Sequence, residues 1–516
     1  MDAKTSSKLG LKERYIYMTR GLAWDPTYQS KGAVYPYAEL EGIKIHDWDK
    51  WEDPFRLTMD AYWKYQAEKE RKLYAIMDAF SQSNGHLTVS DARYINTLKL
   101  FLNGVSPLEY MAHRGFAHAA RSLPGAGPRV ACMMQALDEI RHSTTQIHAM
   151  SNYNKYYNGM HDWNHMHDRV WYLSVPKSFF EDAVSAGPFE FLVAIGFSFE
   201  YVLTNLLFVP FVSGAAYNGD MATMTFGFSA QSDEARHMTL GLELIKFILE
   251  QDPDNVPIVQ KWIDKWNWRG YRMLTLVAMM MDYMLPKRVM SWKEAWEVYY
   301  EENGGALFKD LARYGIRPPQ WIDQIEKEKD HLSHQAWAVF YNYSAASNFH
   351  AWTPSKEDMD WLASKYPDTF DQYYRPRYEF WAEEEAKGNR FYNKTLPMLC
   401  QTCQIPMFFT EPGDPTKLAY RESDYKGDKY HFCSDGCKHI FDNEPEKYIQ
   451  SWLPVHQIYQ GNCFNEGTDP TAEGFDPLMA VLAYYNINVG RDNFDYKGSE
   501  DEKNFNAWRN AASSNS

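Results

Sequence analysis

The chain has 516 residues, enough for several domains or one large helical core with appendages, and carries a formal net charge of -15 with a pI near 5.6. That balance excludes a surface built for nucleic-acid phosphates or a polybasic membrane contact, because both need positive charge; small organic substrates and protein partners remain. Aromatic residues make up 16%, with 18 Trp and 36 Tyr, a surplus that fits a subunit of a larger assembly.

In chain order, residues 1–90 read as a mixed N-terminal region, turn-rich at first and then helical around "FRLTMDAYWKYQAEKERKLYAIMDAFSQ". The opening "MDAKTSSKLGLKERYIYMTRG" has no apolar run of signal-peptide length, so a cytoplasmic location is expected. Residues 91–252 hold four long stretches with apolar side chains at helical spacing, the pattern of a four-helix bundle. Pro128 behind Gly127 and Pro188 behind Gly187 suit first-turn prolines, and Asp220 suits a helix cap. The longest apolar run, Pro188 to Phe211, has membrane length but contains Glu190, Glu200 and Asn205. A mid-membrane carboxylate costs ~3 kcal/mol even on a lenient scale, so a buried helix with a purposeful Glu is expected instead. Residues 253–398 continue as helices, 399–450 change to short segments with close cysteines, and 451–516 form a C-terminal extension.

The bundle spells one motif twice, "DEIRH" at Asp138–His142 and "DEARH" at Asp233–His237. In each, Glu and His are three apart, which on a helix puts both side chains on one face, one turn apart. One Glu-x-x-His pair on a solvated helix means little. Two such pairs in apolar helices, with a lone Glu on each of two further helices, make the ferritin-like di-metal pattern. Upstream of each pair, the lone carboxylates are Glu109 and Glu200. Glu109 has a second reading, since Ser106-Pro107-Leu108-Glu109 also satisfies a capping box. Glu200 lies in the most apolar stretch, where an uncompensated carboxylate is costly and calls for a cation.

The six candidate ligands carry a charge of minus four, which two divalent ions balance. Oxygen-rich ligation with one imidazole per metal favours iron, with manganese the rival. Glu109, Glu139 and His142 are expected on one ion, and Glu200, Glu234 and His237 on the other. Asp138 and Asp233 can accept the second ring N–H of the histidines, Arg236 can bridge the two aspartates, and Arg141 is expected to face solvent. Gly227 and Gly241, two turns either side of Glu234, would let helices close around the site. Downstream, Cys400, Cys403, Cys433 and Cys437 read as a closed tetrahedral site for structural zinc, with iron the rival; Cys132 and Cys463 read as buried thiols.

With "DEIRH" and "DEARH" as they stand, and with Glu109 and Glu200 upstream, the chain resembles the large subunit of bacterial multicomponent monooxygenase hydroxylases, and within them the phenol hydroxylase branch. The resemblance implies a mainly α fold: a ferritin-like di-iron four-helix bundle core within a larger helical domain, plus a small four-cysteine zinc module at the C-terminal end. "YHFCSDGCKHIF" resembles the modules called YHS domains. The resemblance also puts Thr204 beside the oxygen-binding face as a proton relay, Asn205 and Gln231 on the path to a regulatory protein, and Gln146 at a pocket position. It suggests an apolar pocket of Val105, Leu108, Ala112, Phe179, Ala183, Ile195, Phe199 and Phe208, each of which reads on its own as core.

The implied activity is hydroxylation of phenol and methylphenols to catechols with O2. Toluene, benzene or alkene oxidation stands as the alternative, and a non-enzymatic ferritin-like iron protein, a radical-generating reductase subunit or a desaturase as more distant ones. With no Rossmann fingerprint or iron–sulfur pattern in the chain, NADH, FAD and an iron–sulfur centre are expected on a separate reductase. The other implied partners are two smaller hydroxylase subunits in a doubled three-chain assembly and a cofactorless regulatory protein.

Overall fold

The computed structural model describes residues 9–22, 26–35, 41–89, 91–157, 160, 171–343, 351–389 and 399–450. The C-terminal extension and Cys463 lie outside the described residues. Four long helices frame the site: α1 (Met59–Gln82), α2 (Ala92–Ser122), α3 (Ala126–Tyr153), and α7 (Met221–Gln251), with the intervening elements defined in turn below. The start of α2 is fixed by Asp91, whose carboxylate accepts the backbone N–H groups of Arg93 and Tyr94. Ser106 and Pro107 therefore lie inside α2, and the capping-box reading of Glu109 is corrected: its carboxylate is free to point inward. A tight break at Gly125 returns the chain as α3, with Pro128 in the first turn, where its missing N–H costs nothing.

Helix α4 (Trp171–Val184) leads to the most apolar stretch, which is not one regular helix. Pro188 opens α5 (Pro188–Phe191), which widens into a π-helix over Leu192–Phe199; the Glu200 N–H reaches back five residues to the Ile195 carbonyl at 2.8 Å. After a turn, α6 (Thr204–Phe208) runs into a second π-helix, Val209–Gly214, and the two halves meet at 49°. Among the described residues no single helix is long and apolar enough to cross a membrane. Asp220 then caps α7, accepting Thr223 N–H at 3.0 Å. Gly241 of α7 presses on the backbone of the first π-helix so closely that a Cβ there would collide with the Gly196 carbonyl.

Helix α8 (Asn255–Met273) buries Trp262, Trp266, Trp268, Arg269 and Arg272. Its Gly270 faces Leu203, in the turn beside Glu200, while Gly436 of the cysteine module packs on Trp268. That module consists of two antiparallel hairpins, β1 (Thr410–Glu411) with β2 (Asp414–Leu418) and β3 (Arg421–Tyr425) with β4 (Asp428–Phe432), followed by α9 (Asp435–Asn443). Lys426 and Gly427, both at positive φ, close the second hairpin with the twist that antiparallel strands require. One apolar core runs continuously from the π-helix through α8 into the cysteine module.

Candidate metal centre and apolar cavity

The two motif turns of α3 and α7 face each other with their imidazole centroids 6.1 Å apart. His142 Nδ1 lies 3.6 Å from Glu139 Oε2 and 3.6 Å from Glu109 Oε2; His237 Nδ1 lies 3.3 Å from Glu139 Oε1 and 3.5 Å from Glu234 Oε2. Two groups result whose ligand atoms lie within 4.8 Å of one another: Glu109, Glu139 and His142, and Glu139, Glu234 and His237. Glu139 belongs to both, one oxygen toward each histidine. Glu200 stands apart from these groups, because Gln135, one turn before Glu139 on α3, donates its amide to Glu200 Oε2 at 2.5 Å. Glu139 thus stands between the two histidines, while Glu200 faces the same cavity from the opposite helix.

The buried atoms His142 Nδ1, His237 Nδ1, Glu139 Oε1 and Glu234 Oε2 have no hydrogen-bond partner among the described residues. Desolvated polar atoms left unpaired are costly, and these four converge on the centre of the bundle, so the donor set fits a pair of cations. Charge gives the same answer. Burial first, and then the neighbouring Glu234 charge, push the Glu200 carboxyl well above its ordinary range, and burial does the same to Glu139. Bound cations would reverse that balance and keep the carboxylates ionised.

The histidines are oriented crosswise. His142 Nε2–H donates to Asp233 at 3.1 Å, and His237 Nε2–H donates to Asp138 at 3.0 Å, so each motif's aspartate serves the other motif's histidine. Burial pushes the His142 ring toward neutrality, but Asp233, Glu109 and Glu139 outweigh it and hold the ring well above the usual imidazole range. Arg236 pairs with Asp138 and approaches Asp233 at 3.8 Å. Arg141 is corrected from solvent-facing to largely buried: its guanidinium bonds Glu70 at 2.7 Å, Asp138 at 3.1 Å and Asp233 at 3.4 Å. Helix α1 adds three side chains that the motif did not announce. Tyr62 donates to Asp138 at 2.7 Å, Gln66 donates to both aspartates at 2.8 Å, and Lys69 pairs with Asp233. Their spacing, four and then three residues, is a polar stripe on one helix face, legible only once the partner face is known.

Glu109, Glu139, Glu200 and Glu234, with Thr204, also form the polar wall of a largely apolar cavity of about 100 Å³. That is the order of the dry ~150 Å³ cavity that admits benzene. Val105, Leu108, Ala112, Ile195, Phe199, Phe208 and Thr204 line it. Three expected positions do not. Phe179 packs behind the lining, edge-on to Phe180 and Trp266 and tilted against Phe199, and Ala183 lies buried in the core. Gln146 takes Ser106 Oγ–H at 3.0 Å and donates to Glu109 at 3.0 Å, so it steers a carboxylate instead of lining the cavity. Asn205 and Gln231 are half-buried and outside the lining. Leu100, Gly104, Leu173, Phe211, Met273 and Met280, which nothing in the sequence singled out, extend the lining.

A match to the family model described as Methane/Phenol/Alkene Hydroxylase spans residues 24–252, the region that contains all six candidate ligands. The oxygenase component DmpN of phenol 2-monooxygenase from Pseudomonas sp. (strain CF600) is 66% identical over 98% of this chain and 96% of its own length. The chain belongs to the methane/phenol/alkene hydroxylase family. Among other members, the alkene monooxygenase oxygenase component subunit alpha of Xanthobacter autotrophicus (strain ATCC BAA-1158 / Py2) is 29% identical over 95% of this chain and 97% of its own. The crystal structure of xenon-pressurized phenol hydroxylase from Pseudomonas sp. OX1 superposes with a TM-score of 0.88 at 69% identity, covering 97% of this chain and all of that one.

The hydroxylase carries a second metal-competent cluster. A YHS-domain model matches residues 409–452, and the four sulfurs of Cys400, Cys403, Cys433 and Cys437 lie within 4.8 Å of one another. All four cysteines are buried, and Trp268 Nε1–H donates to Cys437 Sγ at 3.3 Å. Burial raises the Cys437 thiol, yet hydrogen bonds from the other three cysteines and the Arg272 charge outweigh it and hold that sulfur well toward thiolate. Arg272 is itself fully buried and bound bidentately by Glu328 at 2.8 and 3.2 Å. Cys132 is a separate buried thiol, pushed up to about 12 by burial and then by the Glu200 charge.

Proposed function

We propose that this chain is the oxygenase subunit of a multicomponent monooxygenase that converts phenol and methylphenols to catechols with O2. The observation that carries the reading is that unpartnered imidazole and carboxylate atoms converge beside a ring-sized apolar cavity whose polar wall the carboxylates form, in a chain 66% identical to a phenol 2-monooxygenase component. The alkene-oxidising relative, at 29%, makes the alternative substrate class the weaker one.

Two iron ions, one held by Glu109, Glu139 and His142 and the other by Glu200, Glu234 and His237, with Gln135 orienting Glu200, would supply O2 reduction and activation. The chain's own groups do the rest. Leu108, Ile195, Phe199 and Phe208 exclude water and bind the flat face of the ring; Ala112 leaves it room. Thr204, on the same wall as Glu200, is placed to pass a proton. The crossed Asp138 and Asp233 hold the histidine tautomers. The four cysteines hold one zinc ion as a closed structural site. Electrons come from NADH through a separate reductase with FAD and an iron–sulfur centre. Two smaller subunits complete a doubled three-chain hydroxylase, and a cofactorless regulatory protein docks over the helix that carries Glu200, Thr204, Asn205 and, beside it, Gln231.

Metal analysis of the purified hydroxylase should find two iron and one zinc per chain, and single turnover of the reduced protein with O2, phenol and its partners should yield catechol. Glu109→Ala should lower iron below two per chain while leaving zinc at one. Full iron in that variant, or no catechol from iron-loaded protein with all partners present, overturns the assignment.

A further inference from the structure

The buried aspartate network reaches the protein surface through the Arg141–Glu70 ion pair and, by a path of rings, through one aromatic pair. Trp63 on α1 is half-exposed, at 51%, and its indole meets the ring of the fully buried Tyr62 edge-on with centroids 5.3 Å apart. The Tyr62 hydroxyl donates to Asp138 Oδ1 at 2.7 Å, and Asp138 Oδ2 accepts His237 Nε2–H at 3.0 Å. The opposite nitrogen of that imidazole, Nδ1, is the one aimed into the metal centre. Every step from the indole to the ligand atom is thus a ring contact, a short hydrogen bond or a covalent path.

We infer that Trp63, Tyr62, Asp138 and His237 form the route by which electrons enter the metal centre from a docked one-electron donor protein. The inference rests on the proposed di-iron reading. Two electrons arrive one at a time, each reducing one ferric ion to ferrous while the donor's iron–sulfur or flavin centre is oxidised by the same count. The rings serve as a tunnelling medium and undergo no net change. On the outer side of α1, Lys64 and Arg71 are exposed and Lys72 pairs with Glu68 at 2.9 Å, so the face around Trp63 offers both signs of charge to a docking protein. Tyr62 and Trp63 are positioning residues in this scheme: neither touches O2 or the aromatic substrate.

The test is anaerobic stopped-flow reduction of the intact, iron-loaded hydroxylase, with the reduced reductase varied to saturation. Tyr62→Phe keeps the ring, deletes only the hydroxyl contact to Asp138, and cannot alter docking because Tyr62 is buried. It should lower the saturating reduction rate at least tenfold, with two iron ions still bound and reduction by dithionite through a small viologen mediator within twofold of the parent. Trp63→Leu should lower the same saturating rate, and raise the half-saturating reductase concentration if the indole also contacts the donor. An unchanged saturating rate in both variants overturns the route. So does an equal loss with reductase and viologen, which means a changed metal potential instead of a broken path. Absence of iron in the parent protein is a different result, and strikes the function itself.

Discussion

Gln135 governs the one carboxylate that stands outside the compact ligand set. Its amide anchors Glu200, whose carboxyl burial would otherwise neutralise, so replacement by an isosteric apolar residue leaves that group unpaired. Gln135→Leu should retain two iron ions per chain but slow catechol formation roughly tenfold, as for other outer partners of metal ligands, checked by iron analysis beside product assay. At this scale the sequence was explicit about the letters Glu, His and Asp and silent about their pairing. Spacing along a helix shows which side chains share a face, whereas the crossed Asp138–His237 and Asp233–His142 bonds depend on how two helices meet. Gln135, Tyr62, Gln66 and Lys69 were missed for the same reason: a polar residue on an apolar face is informative only against its partner face.

Among the elements, the α7 contact with the first π-helix is the tightest. Gly241→Ala places a methyl group against the Gly196 carbonyl, and neither backbone can retreat without moving Glu200 or Glu234. The substitution should cost about 3 kcal/mol and lower the thermal midpoint by several degrees, read by calorimetry of the assembled hydroxylase. The long helices were legible in chain order because apolar periodicity and capping residues mark them. The π segments were not, since a run apolar on every face looks the same whether its hydrogen bonds span four residues or five. Pro107 misled in the other direction: a proline just after a potential cap imitates a helix start, yet α2 tolerates it in its interior.

For the whole molecule, stability turns on a contact between the N-terminal region and the helix that delivers Glu200. Glu41 accepts the backbone N–H groups of Phe189 at 3.0 Å and Glu190 at 2.7 Å. Burial pushes its carboxyl up to about 7, against the pull of those two donors. Because the folded value is raised, the contribution is complete below the ordinary carboxylate range and is lost as pH climbs through 7. Glu41→Gln should therefore gain on the parent between pH 5.5 and pH 8, by on the order of 1–3 kcal/mol, measured as the difference in denaturation midpoint at each pH. The division into a bundle, further helices and a cysteine-bearing module could be read from composition. That the module docks on α8, with Trp268 donating to Cys437 and packing on Gly436, could not, because it joins segments more than 160 residues apart.

The shared Glu139 and the exchanged aspartates bear on how such a site is filled and how it arose. Neither motif turn is a self-sufficient half: remove one, and the other loses a carboxylate oxygen beside its histidine or the acceptor that aims its imidazole. With iron as the occupant, the first ion should organise the donors for the second; titrating iron into metal-free protein should then show cooperative loading with few singly filled chains. A duplicated turn of five letters has, in this fold, become indivisible.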